Sequence, residues 1–431
     1  MPRFPRVRAG LVLGFPGVLT SRRLRAVLLI LGPGLISGFA DNDAGGIATY
    51  SIAGAQYGYG LMWVLLASMI ALGITQEAGI RLGLSTGQGL ASMIRENFGV
   101  RWTLFAVFTM FAANLGDTVA EFAGIAAALD LFGVPPSISA IASAAAVVLL
   151  LARADFTRTQ YVLLSVGAAV AVAYAVSAVL AHPDWAAAGR ALVIPGITFD
   201  GAYLLAVVGT VGTTITPWGQ AFVQSYAADK GLRMQDLGPA RLDVTLGAVV
   251  TNTVAAFIVV ACAATLWAHG QTDIASAADA AVALGPLAGR FATVLFATGL
   301  LAASLLGLAT VPLTSAYSAC EALGFEHGLS WRWADAPIFY GLLTFFVGSS
   351  ALFVIIPGLP LIQVMFLSQV FDGLLLPIIL VFVMLLARNR AVMGDLTSGR
   401  LLQSLGWLVT VSIGAMSIAL VLSALLGGRS G

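Results

Sequence analysis

The sequence predicts an all-α, polytopic membrane protein with eleven transmembrane helices, and three observations predict it. Only 10% of the 431 residues are charged and the mean hydropathy is +0.96, whereas soluble domains are roughly one-quarter charged. Apolar segments of about 20 residues, the length that crosses a bilayer core, recur from Arg25 to Leu426 with no long polar block between them. Basic residues gather in alternate loops, as expected if Lys and Arg resist translocation. The chain therefore reads as one integral membrane domain, 25–427, behind an N-terminal tail, 1–24, with no separate soluble module.

The tail region carries Arg3, Arg6, Arg8, Arg22, Arg23 and Arg25 around a weak apolar patch. No small-residue cleavage site precedes the first span, so a retained cytoplasmic tail is expected rather than a removed signal. Span 1 covers 25–56 with an interruption, span 2 covers 60–80, span 3 102–131, span 4 137–152 and span 5 159–181. Span 6 covers 202–227 and is interrupted again; spans 7 to 11 follow at 243–268, 287–321, 335–356, 360–387 and 402–426. With the N-terminus inside, the cytoplasmic loops hold Arg81, Arg95, Arg101, Arg153, Arg158, Lys230, Arg233, Arg241, Arg332, Arg388, Arg390 and Arg400. Only Arg190, Arg290 and Arg429 fall outside. One missed helix would invert every later loop, so the same bias supports the span count, an extracytoplasmic C-terminus and residence in the plasma membrane.

The net charge of +1 conceals this asymmetry and gives no reason to expect a nucleic-acid partner. Cys262 and Cys320 lie in apolar segments and fit neither a disulfide framework nor a zinc site. The chain has no P-loop, zinc motif or nucleophile elbow, so neither ATP-driven transport nor an enzyme activity is expected. The partners implied are the lipid bilayer and a small cargo, with the chain a monomer or weak oligomer.

Spans 1 and 6 share a defect. The first contains GFADNDAGGIATY, Gly38 to Tyr50, and the sixth contains GTVGTTITPWG, Gly209 to Gly219. Gly45 and Gly46 weaken one helix; Pro217 removes a donor and clashes with the preceding turn of the other. Carbonyls near Ala40, Asp41, Thr213 and Thr214 are thereby freed. Such backbone is tolerated at membrane depth only where protein packs on it or it lines a polar cavity. Paired interruptions five spans apart point to a midplane site between inverted repeats, here 25–181 and 202–387, with 402–426 added. A carboxylate at Asp43 costs a few kcal/mol near the bilayer centre and marks a functional position.

The stretch from Gly32 to Leu66 resembles the first two helices of the Nramp divalent-metal transporters, whose signatures are Asp-Pro-Gly-Asn in helix 1 and Met-Pro-His in helix 6. The resemblance continues through TGQGLASMIRENFG at 86–99, DTVAEFAG at 117–124 and SQVFDGLLLPIIL at 368–380. It implies a LeuT-type fold of two inverted five-helix repeats, with a divalent cation held between the unwound parts of helices 1 and 6. Asp43 takes the place of the signature Asp, and Ala40 that of the residue whose carbonyl faces the metal. The signature Pro is Ala44 and the Asn is Gly46. In helix 6 Pro217 is kept, while Thr216 replaces the Met, Trp218 replaces the His, and Thr213 replaces a small residue.

These departures harden the site. Thioether sulfur suits transition metals, whereas carboxylate, carbonyl, hydroxyl and water oxygens suit Mg²⁺, which usually keeps several waters. Loss of the Asn at Gly46 is expected to leave room for that water. The pattern is similar to the Nramp-related magnesium transporters, and it implies uptake of Mg²⁺, with Mn²⁺ also carried, the ion being cargo and not a cofactor. The alternative is a proton-coupled Mn²⁺/Fe²⁺ importer.

Family members coupled to protons use the helix 6 His, acids of helix 3 and arginines of helix 9. Here His182, His269 and His327 fall in or beside loops, and the ninth span has no basic residue. Glu121 matches the family Glu, but the Asp is shifted to Asp117, about 100° round the helix. Transport without obligatory proton coupling is therefore expected, with an Asp117–Glu121 relay as the competing reading. Gln369 matches a family position close to the metal. Asp372 is expected to line the cavity opposite Asp43. Asp41 and Asn42 flank the site, Trp218 is expected to line or gate it, and Glu77 to serve a structural role or an exit path.

Overall fold

The computed structural model describes residues 41–153, 156–198, 200–229, 232–328 and 333–427. Ala40, the N-terminal tail and the first half of span 1 lie outside the described residues. The second half of span 1 is α1 (Ala44–Tyr57), followed by α2 (Met62–Thr86), the short α3 (Leu90–Phe98), α4 (Val100–Asp130), α5 (Pro136–Arg153) and α6 (Phe156–Leu180). After the short α7 (Trp185–Val193) come α8 (Gly201–Thr214) and α9 (Pro217–Asp229), the two halves of span 6. The remainder is α10 (Leu237–Thr265), α11 (Ala292–Leu323), α12 (Pro337–Val354), α13 (Leu361–Arg388) and α14 (Arg400–Gly427). Every expected span coincides with a helix, the first through its second half.

Among the described residues seven helices, α2, α4 and α10 to α14, are long and apolar enough to cross a bilayer by themselves. The halves of span 6 are not, at 14 and 13 residues, because a crossing needs about 20. Large apolar side chains also face outward, such as Phe108, Leu352 and Val411, as a lipid solvent allows. Two surface helices were not expected. The chain turns through 118° from the end of α6 into α7, which Asp184 caps by accepting from the Ala187 amide. α3 sits between α2 and α4, opened by Gly89 and closed by Gly99.

The broken helices sit at the centre. α1 packs on α10, α13, α8 and α4, while α4 packs against α11 and α13, and α2 against α10 and α9. α14 lies at the rim, only 22% of its most apolar stretch being buried, against 72% for the segment containing α11. α8 and α13 cross closely because both contribute glycine. A Cβ on Gly212 would overlap the Gln369 carbonyl oxygen, and one on Gly373 would overlap that of Val208. This crossing sets Gln369 and Asp372 beside the break. At the outer end of α8, Asp200 accepts from the Tyr203 amide at 2.8 Å, which holds its carboxyl below the usual carboxylate range.

Candidate metal centre

Asp43 begins α1. Its backbone is extended, and its Oδ1 accepts from the Gly46 amide at 2.7 Å, capping the helix. A capping Asp also faces the positive end of the helix dipole. The second break has a different cause. α8 ends at Thr214, Ile215 leaves helical geometry at φ −120°, ψ 80°, and Pro217 opens α9, where its missing N–H is not needed. Thr216 bridges the gap: its Oγ1 accepts from the Gly219 amide at 3.1 Å and donates to Asp41 Oδ1 at 3.4 Å. The two breaks, 175 residues apart, therefore meet directly.

Gly46 marks where they meet. A Cβ placed on it would have three oxygens as nearest neighbours: the Asp41 carbonyl at 2.8 Å, Thr213 Oγ1 at 3.1 Å and Asp43 Oδ1 at 3.5 Å. Thr213 Oγ1 is buried and has no partner. This corrects one expectation. Loss of the amide at Gly46 does not leave an open space here; the absence of a side chain lets the Asp41 carbonyl and Thr213 close in. Asn42 faces the other way, donating from Nδ2 to the Thr251 carbonyl of α10 at 3.5 Å. Behind the site the Tyr50 hydroxyl and Thr214 Oγ1 lie 3.0 Å apart. Neither Tyr50 nor Thr251 was singled out from sequence; the signal was a polar side chain deep in an apolar run.

On the α4 side stand two carboxyl contacts. Glu121 faces Asp43, and Asp117, one turn earlier, faces Asp372 of α13. All four acids are buried. Apart from these carboxyl contacts, Glu121, Asp372 and Asp117 Oδ2 have no further side-chain partner among the described residues. Gln369 joins the groups: its Nε2 donates to Asp117 Oδ1 at 3.0 Å and to Ser368 Oγ at 3.1 Å, while its side chain covers Gly45. Its Oε1 is buried without a partner. Asp372, expected to line the cavity opposite Asp43, contacts Asp117 of α4 and lies within electrostatic reach of Asp43.

Of the two roles expected for Glu77 its contacts fit the structural one, while the lining or gating role expected for Trp218 changes. Glu77 is not part of this cluster: its Oε1 accepts from Arg81 Nε and Nη2 at 2.9 and 2.6 Å and from Arg241 Nε and Nη2 at 3.0 and 2.8 Å. Two guanidiniums neutralise it, so it ties α2 to α10 and has no free charge for an exit path. Trp218 is fully buried in an apolar cluster with Leu306, Val311 and Phe222, and its Nε1 has no partner. Its bulk packs α9 on α11 and does not face an opening.

Among the described residues the ion pairs are those of Glu77, and none joins a cation to Asp43, Glu121, Asp117 or Asp372. No three His, Cys, Asp or Glu converge as a metal cage there either. The arrangement is one carboxylate, one carbonyl and hydroxyls at a helix N-terminus, with more acids behind. Such oxygen donors accept a hard cation and leave most of an octahedral shell to water.

Two half-helices that meet at their broken ends inside a bundle, one starting and one ending at polar backbone, define a multi-pass membrane protein of the LeuT-type fold. The chain belongs to the Nramp family: residues 34–423 match the Nramp, natural resistance-associated macrophage protein-like, family. It is 32% identical over 436 residues to the divalent metal cation transporter MntH of Deinococcus radiodurans, covering 98% of this chain and 95% of that one. The fold is similar to that of the Eremococcus coleocola manganese transporter, solved with an aromatic bis-isothiourea compound, at TM-score 0.77 and 20% identity over 94% of this chain and 89% of that one. MhsT bound to L-phenylalanine matches more distantly, at TM-score 0.60 and 17% identity over 92% of this chain and 98% of that one.

Proposed function

We propose that this chain takes up divalent metal ions by alternating access, with Mg²⁺ preferred, Mn²⁺ also carried and no obligatory proton coupling. The relatives named as metal transporters support metal as the cargo. The observation that carries the preference is the donor set: Asp43 Oδ1, Thr213 Oγ1 and the Asp41 carbonyl gather beside Gly46, with the Thr216 hydroxyl adjoining. All are oxygens. Three or four oxygens fall short of six octahedral positions, and Mg²⁺ is the ion that keeps water in the others. Gln369 and Asp372 act one step further out, through water or by offsetting charge. The absence of imidazole supports uncoupled transport: His182, His269 and His327 all lie outside the helices that carry the site.

A second reading is favoured by the carboxyl contacts. One dication offsets two carboxylate charges, fewer than the buried acids gathered here, and protons on Glu121, Asp117 or Asp372 would offset more, making transport a proton-linked process. Proteoliposomes separate the two: stoichiometric acidification of the lumen with Mg²⁺ entry overturns the uncoupled reading. The donor argument is tested by Thr216→Met, which places a thioether at the break. Its ratio of Mn²⁺ or Cd²⁺ uptake to Mg²⁺ uptake is expected to rise, and an unchanged ratio refutes the hard-site reading. The basic loops further support a plasma-membrane topology with the N-terminus cytoplasmic and the C-terminus outside.

A further inference from the structure

On the side of the bundle that carries the basic loops, α2, α10 and α14 leave a groove of about 500 Å³. Met69, Ile70, Gly73, Ile74 and Glu77 line it from one face of α2, Arg241, Thr245, Ala248 and Val249 from one face of α10, and Leu402 closes it from α14. Residues 69–77 and 241–249 each run about 12 Å along their helices, so the groove is long, narrow and parallel to the helix axes. Ile70 and Val249 are exposed, which opens it toward lipid. Gly73 forms its floor, and a Cβ there would meet nothing within 4 Å.

The far end is charged. Arg81 and Arg241 share one carboxylate oxygen of Glu77, while Glu77 Oε2 has no partner. Two guanidiniums against one carboxylate leave one positive charge in excess. The Arg81 side chain is 12% exposed and donates its Nη1 to the Leu396 carbonyl, whereas that of Arg241 is 48% exposed. Among the described residues Arg241 binds Glu77 through Nε and Nη2, which leaves Nη1 at the mouth of the groove. An apolar channel ending in an accessible guanidinium matches a molecule with a chain at one end and an anion at the other.

We propose that this groove binds one anionic phospholipid, with an acyl chain over Gly73 and the headgroup phosphate on Arg241. A zwitterionic lipid offers the same chain and phosphate but no net charge, so the excess positive charge selects the anionic one. A basic residue near the headgroup level contributes about five-fold in affinity for anionic lipid. The phosphate and Glu77 then compete for Arg241, so the lipid joins the tie between α2 and α10.

The test is native mass spectrometry of the purified full chain titrated with phosphatidylglycerol or phosphatidylcholine. The wild type is expected to retain one phosphatidylglycerol about five-fold more strongly than phosphatidylcholine. Arg241→Gln should lose that preference, and Gly73→Leu, which fills the apolar floor without touching the charges, should lose retention of both. Glu77→Gln removes the competing carboxylate and should strengthen phosphatidylglycerol retention, which a merely structural tie would not do. Equal retention of the two lipids by the wild type overturns the proposal, as does a Glu77→Gln protein that elutes as the wild type yet retains no more phosphatidylglycerol.

Discussion

Asp43 has two roles that a pair of substitutions separates. Its Oδ1 caps α1 through the Gly46 amide at 2.7 Å, and under the proposed function its charge meets a cation. Asp43→Asn keeps a side-chain oxygen in the same place, and Asn caps helices as well as Asp does. It also removes one of four buried acids that form no ion pair among the described residues. Thermal stability without metal is therefore expected to be unchanged or higher. Metal binding should fall: a charge at this depth is worth roughly 3 kcal/mol, which converts to more than 100-fold in affinity at 1.4 kcal/mol per tenfold. Asp43→Ala should lose the same affinity and, in addition, about 1 kcal/mol of cap. Titration with Mg²⁺ and Mn²⁺, with unfolding followed on the same preparations, reads both quantities. An Asn variant that binds either metal within tenfold of the wild type refutes the ligand role, and one that melts well below the wild type refutes the separation of charge from cap.

Gly46→Ala places a methyl against the Asp41 carbonyl and Thr213; overpacking of about 1–3 kcal/mol outweighs the roughly 1 kcal/mol helix gain of Ala over Gly, so a modest loss of stability is expected together with a fall in metal affinity measured by titration. Asp372→Asn relieves a contact between two buried acids and should raise the melting temperature, as a thermal scan without metal would show. Glu77→Ala leaves Arg81 and Arg241 facing each other without a counter-charge; breaking a buried pair costs about 3–5 kcal/mol, reduced here because Arg241 is half exposed, and denaturant unfolding would register about 2 kcal/mol or more. Gly212→Leu pushes α13 off α8 and should lower both stability and transport, measured by unfolding and by uptake into proteoliposomes.

The spans were legible because in lipid an apolar run of the right length has few alternatives to a helix. The breaks at Asp43 and Pro217 were legible because Gly, Pro and an acid are conspicuous in such runs. α3 and α7 were not, since nine-residue amphipathic helices carry no span-length signal. The contact of Asp372 with Asp117 depends on the crossing of α8 and α13, which Gly212 and Gly373 permit but which no local pattern announces. For the same reason the closeness of Asp41 to Gly46 was hidden: a missing side chain reads as space in one dimension and as close approach in three.

The oxygen that caps α1 is also one of the three oxygens grouped around Gly46, where the cargo is proposed to bind. An ion that draws Oδ1 away from the Gly46 amide uncaps the half-helix, so binding opposes about 1 kcal/mol of helix stability. That weakens affinity about five-fold, and it stores in the backbone a restoring pull that acts at the moment of release. A carrier turns over only as fast as it lets go, and here the helix end itself hastens departure. The frayed first turn would be the physical record of an occupied site.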